Sequence, residues 1–261
     1  MESIRVASPS LKARIAGAVY LLEMLTGGFA LFVAIKLFVS GEAAATATNI
    51  LAHESLFRLG AAANFLQFAC YTAVTGLFYG LFKPVNRGLS LLAAFFSLVG
   101  CTIGAVSCIF EFVPMILLGD AQYLSVFNVA QLQALAMLFL KLYGQFFNGS
   151  FVFFGFYCLL IGYLIFKSRF LPRILGVGMA ITGLGWLTYL WPPLTAYLSP
   201  FILIVGIGEV SLTLWLLVAG VDAERWKQQA RAAIYADGST ALVASELVVD
   251  QPQVARPESG R

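Results

Sequence analysis

Charge is what this chain has least of. Asp, Glu, Lys and Arg make up 11% of its 261 residues, against about 25% in a soluble domain. So few charges cannot coat a globular core of this size, and a water-soluble fold is excluded. Histidine occurs once, so a zinc centre lacks imidazoles; no metal and no cofactor are expected. Cysteine is limited to Cys70, Cys101, Cys108 and Cys158, all inside apolar runs and none in a C-x-x-C pair. They read as small packing groups rather than a disulfide or metal framework. There is no Walker phosphate loop, no zinc-protease helix motif and no G-x-S-x-G elbow. The net charge of +3 is too small to point to nucleic acid.

Hydrocarbon is what the chain does have. Hydrophobic residues reach 60% and the mean hydropathy is +0.88. The apolar runs last about 20 residues, the length of a membrane-spanning helix, whereas barrel strands would alternate over about 10. The expected fold class is all-α, an integral membrane helical bundle with the lipid bilayer as its first partner. Six transmembrane helices are predicted: Ile15 to Val39, Phe57 to Phe82, Leu89 to Leu118, Tyr143 to Phe166, Ile174 to Leu190 and Pro200 to Val221. The third holds Pro114, which predicts a kink or a last turn rising past the acyl region. The stretch Tyr123 to Lys141 is apolar but carries Gln131, Gln133 and Lys141. It reads as an interfacial helix running into the fourth span, not as a seventh crossing.

Lys and Arg concentrate on the cytoplasmic side of membrane proteins. Here Arg5, Lys12 and Arg14 precede the first span, and Lys83 and Arg87 fill the turn "KPVNRG". Lys167, Arg169 and Arg173 fill "KSRFLPR", and Arg225, Lys227 and Arg231 follow the sixth span. Six spans with cytoplasmic N- and C-termini put all four clusters inside, in a multi-pass protein of the inner (plasma) membrane. The first apolar stretch is too long for a signal peptide, whose core is about 7–15 residues. Residues 1–221 form the membrane domain. Residues 222–261 read as a cytoplasmic tail in which "DAERWKQQARAA" can extend the last helix and the rest is largely disordered. Gly76-x-x-x-Gly80 and Gly100-x-x-x-Gly104 permit close helix approach, inside the bundle or in a homodimer.

The stretches "RIAGAVYLLE", "AAATATNILAHESLFRLG", "KPVNRGLSLLAAFF", "FVFFGFYCLLIGYLIFKSRFLPRILGVGMA" and "GEVSLTLWLL" carry a resemblance. Over about Arg14 to Gly220 the chain resembles the bacterial membrane family labelled domain of unknown function 4386. The resemblance implies a multi-pass topology and a prokaryotic source, and it brings no activity with it. Members often have His where this chain has Tyr157, so a role resting on an imidazole there does not transfer.

Counting depth at about 1.5 Å per residue places the polar residues unevenly. Lys36, Asn64, Gln67, Glu111, Gln145, Asn148 and Glu209 fall in the outer halves of their spans, and Glu23 alone falls in an inner half, near the hydroxyl of Thr26. An unpaired charge at mid-bilayer costs at least about 2.5–3.5 kcal/mol, so the three carboxylates should face inward. One reading pairs Glu209 and Glu111 with Arg58, Lys36 or Lys141; the other has them line a polar cavity open to the outside. The candidate ligand-binding residues are Glu209, Glu111, Arg58, Asn64, Gln67, Asn148 and Lys36, with Arg58 expected to be the cation nearest Glu209. No catalytic residue is assigned. The chain is expected to bind or transport a small or amphiphilic molecule. The alternatives are an intramembrane lipid-modifying enzyme using Glu209 or Glu111 with His53, and a non-catalytic scaffold or sensor.

Overall fold

The computed structural model describes residues 8–119, 121–198 and 206–235. They are helical throughout, with no strand among the described residues. Helix α1, Pro9–Leu37, is capped by Ser8, whose hydroxyl accepts the Leu11 N–H at 3.2 Å, and Pro9 suits a first turn because its missing N–H is not needed there. Helices α2 (Ala43–Ala52) and α3 (Glu54–Phe82) meet at His53. Helix α4, Arg87–Leu117, is capped by Asn86 at 2.9 Å and runs three residues past Pro114. A 3-10 turn, Gln122–Val126, leads to α5, Val129–Lys167. Helix α6, Arg173–Leu187, ends in a 3-10 turn, followed by α7, Pro192–Leu198. Helix α8 spans Ile207–Val218, and α9 occupies 223–235.

Six helices pack in cyclic order: α1 on α3, α3 on α4, α4 on α5, α5 on α6, α6 on α8, and α8 back on α1. Glycines set the closest crossings. A Cβ on Gly208 would lie 2.2 Å from the Gly178 carbonyl oxygen, and one on Gly162 would lie 2.7 Å from that of Gly176. Gly100 and Gly104 abut Phe154 and Phe68 within the bundle, whereas Gly76 and Gly80 face open space.

Five helical stretches are long and apolar enough to cross a bilayer: Pro9–Leu37, Glu54–Phe82, Arg87–Leu117, Val129–Lys167 and Arg173–Leu190. Of the expected sixth span, 200–205 lie outside the described residues, and the 12 residues of α8 reach only about 18 Å. The first residues of the stretch expected to lie at the interface are in the 3-10 turn Gln122–Val126, and from Val129 on that stretch and the fourth span form one unbroken helix. A capping box starts it, Asn128 and Gln131 exchanging side-chain-to-backbone bonds at 2.9 Å each. Its 39 residues extend about 58 Å, nearly twice the hydrocarbon thickness.

The four basic segments share one end of the bundle. Arg14 donates to the Val218 carbonyl at 3.4 Å, the Asp222 N–H donates to Phe170 O at 3.2 Å, and the Trp226 indole donates to Leu81 O at 2.9 Å. The tail does not continue α8. Gly220, at φ +68°, ends it, a backbone conformation open to glycine at little cost. Asp222 then caps α9 by accepting the Glu224 and Arg225 N–H groups at 3.1 and 3.0 Å. The remainder of the expected disordered tail, 236–261, lies outside the described residues.

Candidate functional site

The inward stripe of α3 carries Asn64, Gln67, Tyr71 and Thr75, at spacings of three and four that align them on one face. The stripe runs about 16 Å along the helix axis. Each of its first three members holds an acid from a different helix. The Asn64 amide donates to Glu111 Oε2 on α4 at 2.8 Å and to the Tyr143 hydroxyl on α5 at 3.0 Å. The Gln67 amide donates to Glu23 Oε1 on α1 at 3.1 Å. The Tyr71 hydroxyl donates to Glu209 Oε1 on α8 at 3.3 Å. Further along, Thr75 and Ser97 share a 2.5 Å hydroxyl bond.

Glu209 is the hub. Its Oε1 also accepts from the Tyr20 hydroxyl of α1 at 2.7 Å and the Cys158 thiol of α5 at 3.5 Å. Its Oε2 accepts from the Trp186 indole of α6 at 3.3 Å. One side chain therefore ties α8 to α1, α3, α5 and α6. It lies in the first turn of α8. The absence of a Cβ at Gly208 lets α6 come close enough for Trp186 to reach it. Glu23 is buried beside Gln67, whose amide fits against α1 because a Cβ on Gly27 would lie 2.7 Å from it.

The other three candidate residues stay apart. Arg58 does not approach Glu209: its Nε donates to Glu54, four residues back, at 2.9 Å, in an ion pair whose side chains remain more than half exposed. Thirteen residues of α3, about 20 Å, separate it from Tyr71, farther than its side chain can extend. Lys36 is exposed in the last turn of α1, and Asn148 is exposed on α5. The ion pairs among the described residues are Arg58–Glu54, Arg225–Asp222 and Lys227–Glu224, so none involves Glu23, Glu111 or Glu209. Thr26 bonds the carbonyl oxygens of Leu22 and Glu23 and not the Glu23 carboxylate. His53 sits exposed at the α2–α3 junction, with Nδ1 3.1 Å from Asn49 O.

The polar aromatics and the thiol are what sequence reasoning missed: Tyr20, Tyr71, Cys158 and Trp186, which donate to Glu209, and Tyr143, which accepts from Asn64. A signal was present, since a buried Tyr or Trp needs a partner for its polar end, and Tyr20 stands one turn before Glu23 in an otherwise apolar run. The four cysteines are free and buried, as their spacing predicts. An open groove of about 360 Å³ lies between α3 and α4, lined by Phe65, Phe68, Thr72, Leu98, Cys101 and Thr102 among others. Both threonine hydroxyls bond carbonyls of their own helices, at 2.9 and 2.8 Å. The groove is therefore largely apolar, and none of the seven candidate residues lines it.

Helices of this length and composition around a buried acid–tyrosine centre define a multi-pass, all-helical membrane protein. The chain belongs to the family described as Domain of unknown function (DUF4386), whose model matches residues 15–220 and so includes every residue of the centre. An uncharacterized protein of Archaeoglobus fulgidus is similar, 24% identical over 146 residues that cover 54% of this chain and 72% of the relative. No solved structure matches.

Proposed function

We propose that this is a solute-binding, transport-related protein of the plasma membrane. It crosses six times with both termini cytoplasmic and takes a small amphiphilic molecule from the outer face, with the head of the molecule reaching Glu209. The orientation is supported by the four basic segments at one end. Reporter fusions after Lys83, Lys167 and Arg231 should all report cytoplasm, and a fusion at Asn49 should report the outer side.

The observation that carries the ligand class is an aromatic wall with a buried acid at its foot. Phe151 stacks on Trp186 at 4.5 Å and packs against Tyr189 at 5.1 Å. All three are half-buried, and Trp186 donates directly to Glu209. Arg173 begins α6 at the basic end, and Trp186 lies thirteen residues farther on, so the wall is at the opposite end. An apolar chain suits the wall and a donor-bearing head suits the carboxylate. The test compares dodecylamine with dodecanol, measured by tryptophan fluorescence on the protein in nanodiscs. Glu209→Gln should weaken dodecylamine binding about tenfold, worth about 1.4 kcal/mol, and leave dodecanol unchanged. Equal dodecylamine binding by the two proteins would mean simple partitioning into lipid and would refute the reading.

A further inference from the structure

Glu23 and Glu209 come from helices at opposite ends of the sequence but face one centre. Tyr20, one turn before Glu23, donates to Glu209 at 2.7 Å, and the two acids lie within electrostatic range of each other. The titratable groups around them are Tyr20 on α1, Cys70 and Tyr71 on α3, Cys101 on α4, and Tyr157 and Cys158 on α5. None of these is a cation, and neither acid forms an ion pair among the described residues. Two carboxylates in a water-poor centre repel strongly unless positive charge joins them.

Separate observations mark where that charge would sit. Among the described residues, the hydroxyls of Tyr157 and Thr213 are buried without a hydrogen-bond partner, and each residue is 1% exposed. Thr213 is one turn after Glu209 on the same face of α8. Tyr157 packs edge-on to Tyr71 at 5.8 Å and interacts electrostatically with Glu209. Gln67 Oε1, beside Glu23, is a third atom unpartnered among the described residues. Acceptor capacity remains, because Glu209 Oε2 takes only the Trp186 donor and Glu23 Oε2 takes none among the described residues. All of these are oxygens, the ligands of hard ions rather than of zinc or copper. Toward the basic end the core closes with Phe78, Phe82, Leu164 and Leu216, all fully buried.

We propose that Glu23 and Glu209 jointly hold one exchangeable positive charge, an alkali-metal ion or a proton, with Tyr157, Thr213 and Gln67 supplying neutral oxygens around it. The proposal goes beyond amphiphile binding, and a protein that ignores dodecylamine can still hold the ion.

The test is the melting temperature of the full-length protein in nanodiscs. One arm titrates LiCl, NaCl or KCl against choline chloride at constant ionic strength; the other scans pH in choline alone. A ligand bound only by the folded state raises stability in proportion to the logarithm of its concentration. A saturable rise with one alkali ion, lost in Glu23→Gln and weakened several-fold in Thr213→Val, assigns the site to that ion. A pH-dependent transition in choline, lost in Glu23→Gln and without ion response, assigns it to a proton. Indifference to both, or wild-type responses in Glu23→Gln, overturns the proposal. Glu23→Gln and Thr213→Val leave the hydrogen bonds of Glu209 in place, so the test does not depend on Glu209→Gln folding.

Discussion

Gly208→Ala is the sharpest perturbation of the architecture that builds the centre. A Cβ there would lie 2.2 Å from Gly178 O and 2.4 Å from Gly178 C, where ordinary contact is about 3.5–4.0 Å. The obstruction is backbone on a packed helix, so no rotamer relieves it, and α6 and α8 must part by more than about 1 Å. Overpacking of this kind costs about 1–3 kcal/mol, against about 0.5–1 kcal/mol gained by replacing a helical glycine with alanine. Separation acts directly on the next residue. The Trp186–Glu209 bond is already 3.3 Å long and would pass beyond hydrogen-bonding distance. The expected result is a fall of several degrees in melting temperature, at roughly 2–4 °C per kcal/mol, with a change in tryptophan emission. The assay is fluorescence-detected size exclusion after heating. Gly76→Ala is the control, since its Cβ would meet nothing within 4 Å, and it should be neutral or slightly stabilising. If Gly208→Ala melts with the wild type, the α6–α8 crossing is not as close as described and the reasoning fails.

Arg58→Gln should cost less than about 1 kcal/mol, as for exposed ion pairs, and should show no coupling to Glu209→Gln in a double-mutant cycle; strong coupling would bring Arg58 back to the centre. Tyr20→Phe should destabilise by about 1–3 kcal/mol and by more than Tyr71→Phe, because its bond to Glu209 is 2.7 Å rather than 3.3 Å; the reverse order in thermal melts would contradict that geometry. Removing Gly238 to Arg261 should leave melting unchanged. Trp226→Ala, which deletes the bond to Leu81 O, should expose 223–235 to protease, and equal cleavage rates would show that Trp226 is not what holds α9.

The centre was half legible. Three acids in apolar runs had to face inward, because lipid does not solvate them; Asn64 and Gln67 were grouped with them by estimated depth. Arg58, Lys36 and Asn148 were grouped in the same way, and depth along a helix does not determine which way a side chain points. Arg58 illustrates the error: its nearest acid is local, at i−4, and meeting Glu54 in a wet environment needs no desolvation. The tyrosines were overlooked because an aromatic in an apolar run reads as packing until its hydroxyl is seen to have a partner. The stretch ahead of the fourth span was read as a helix running into it, and from Val129 a backbone without proline carries the helix across that polarity change unbroken.

By itself the sequence determined the class and much of the layout: a helical membrane bundle, its turns, its basic segments and its inward acids. These follow from solvation, which acts on each residue type separately and leaves a trace in composition and periodicity. Only the tertiary structure decided that α1 and α8 bring Glu23 and Glu209 to one centre. It also decided that α3 supplies a donor to each of the three acids and that a glycine crossing admits Trp186. Those outcomes depend on which helix faces pack together across as many as 189 residues of chain, a choice set by the fit of surfaces that no local stretch encodes.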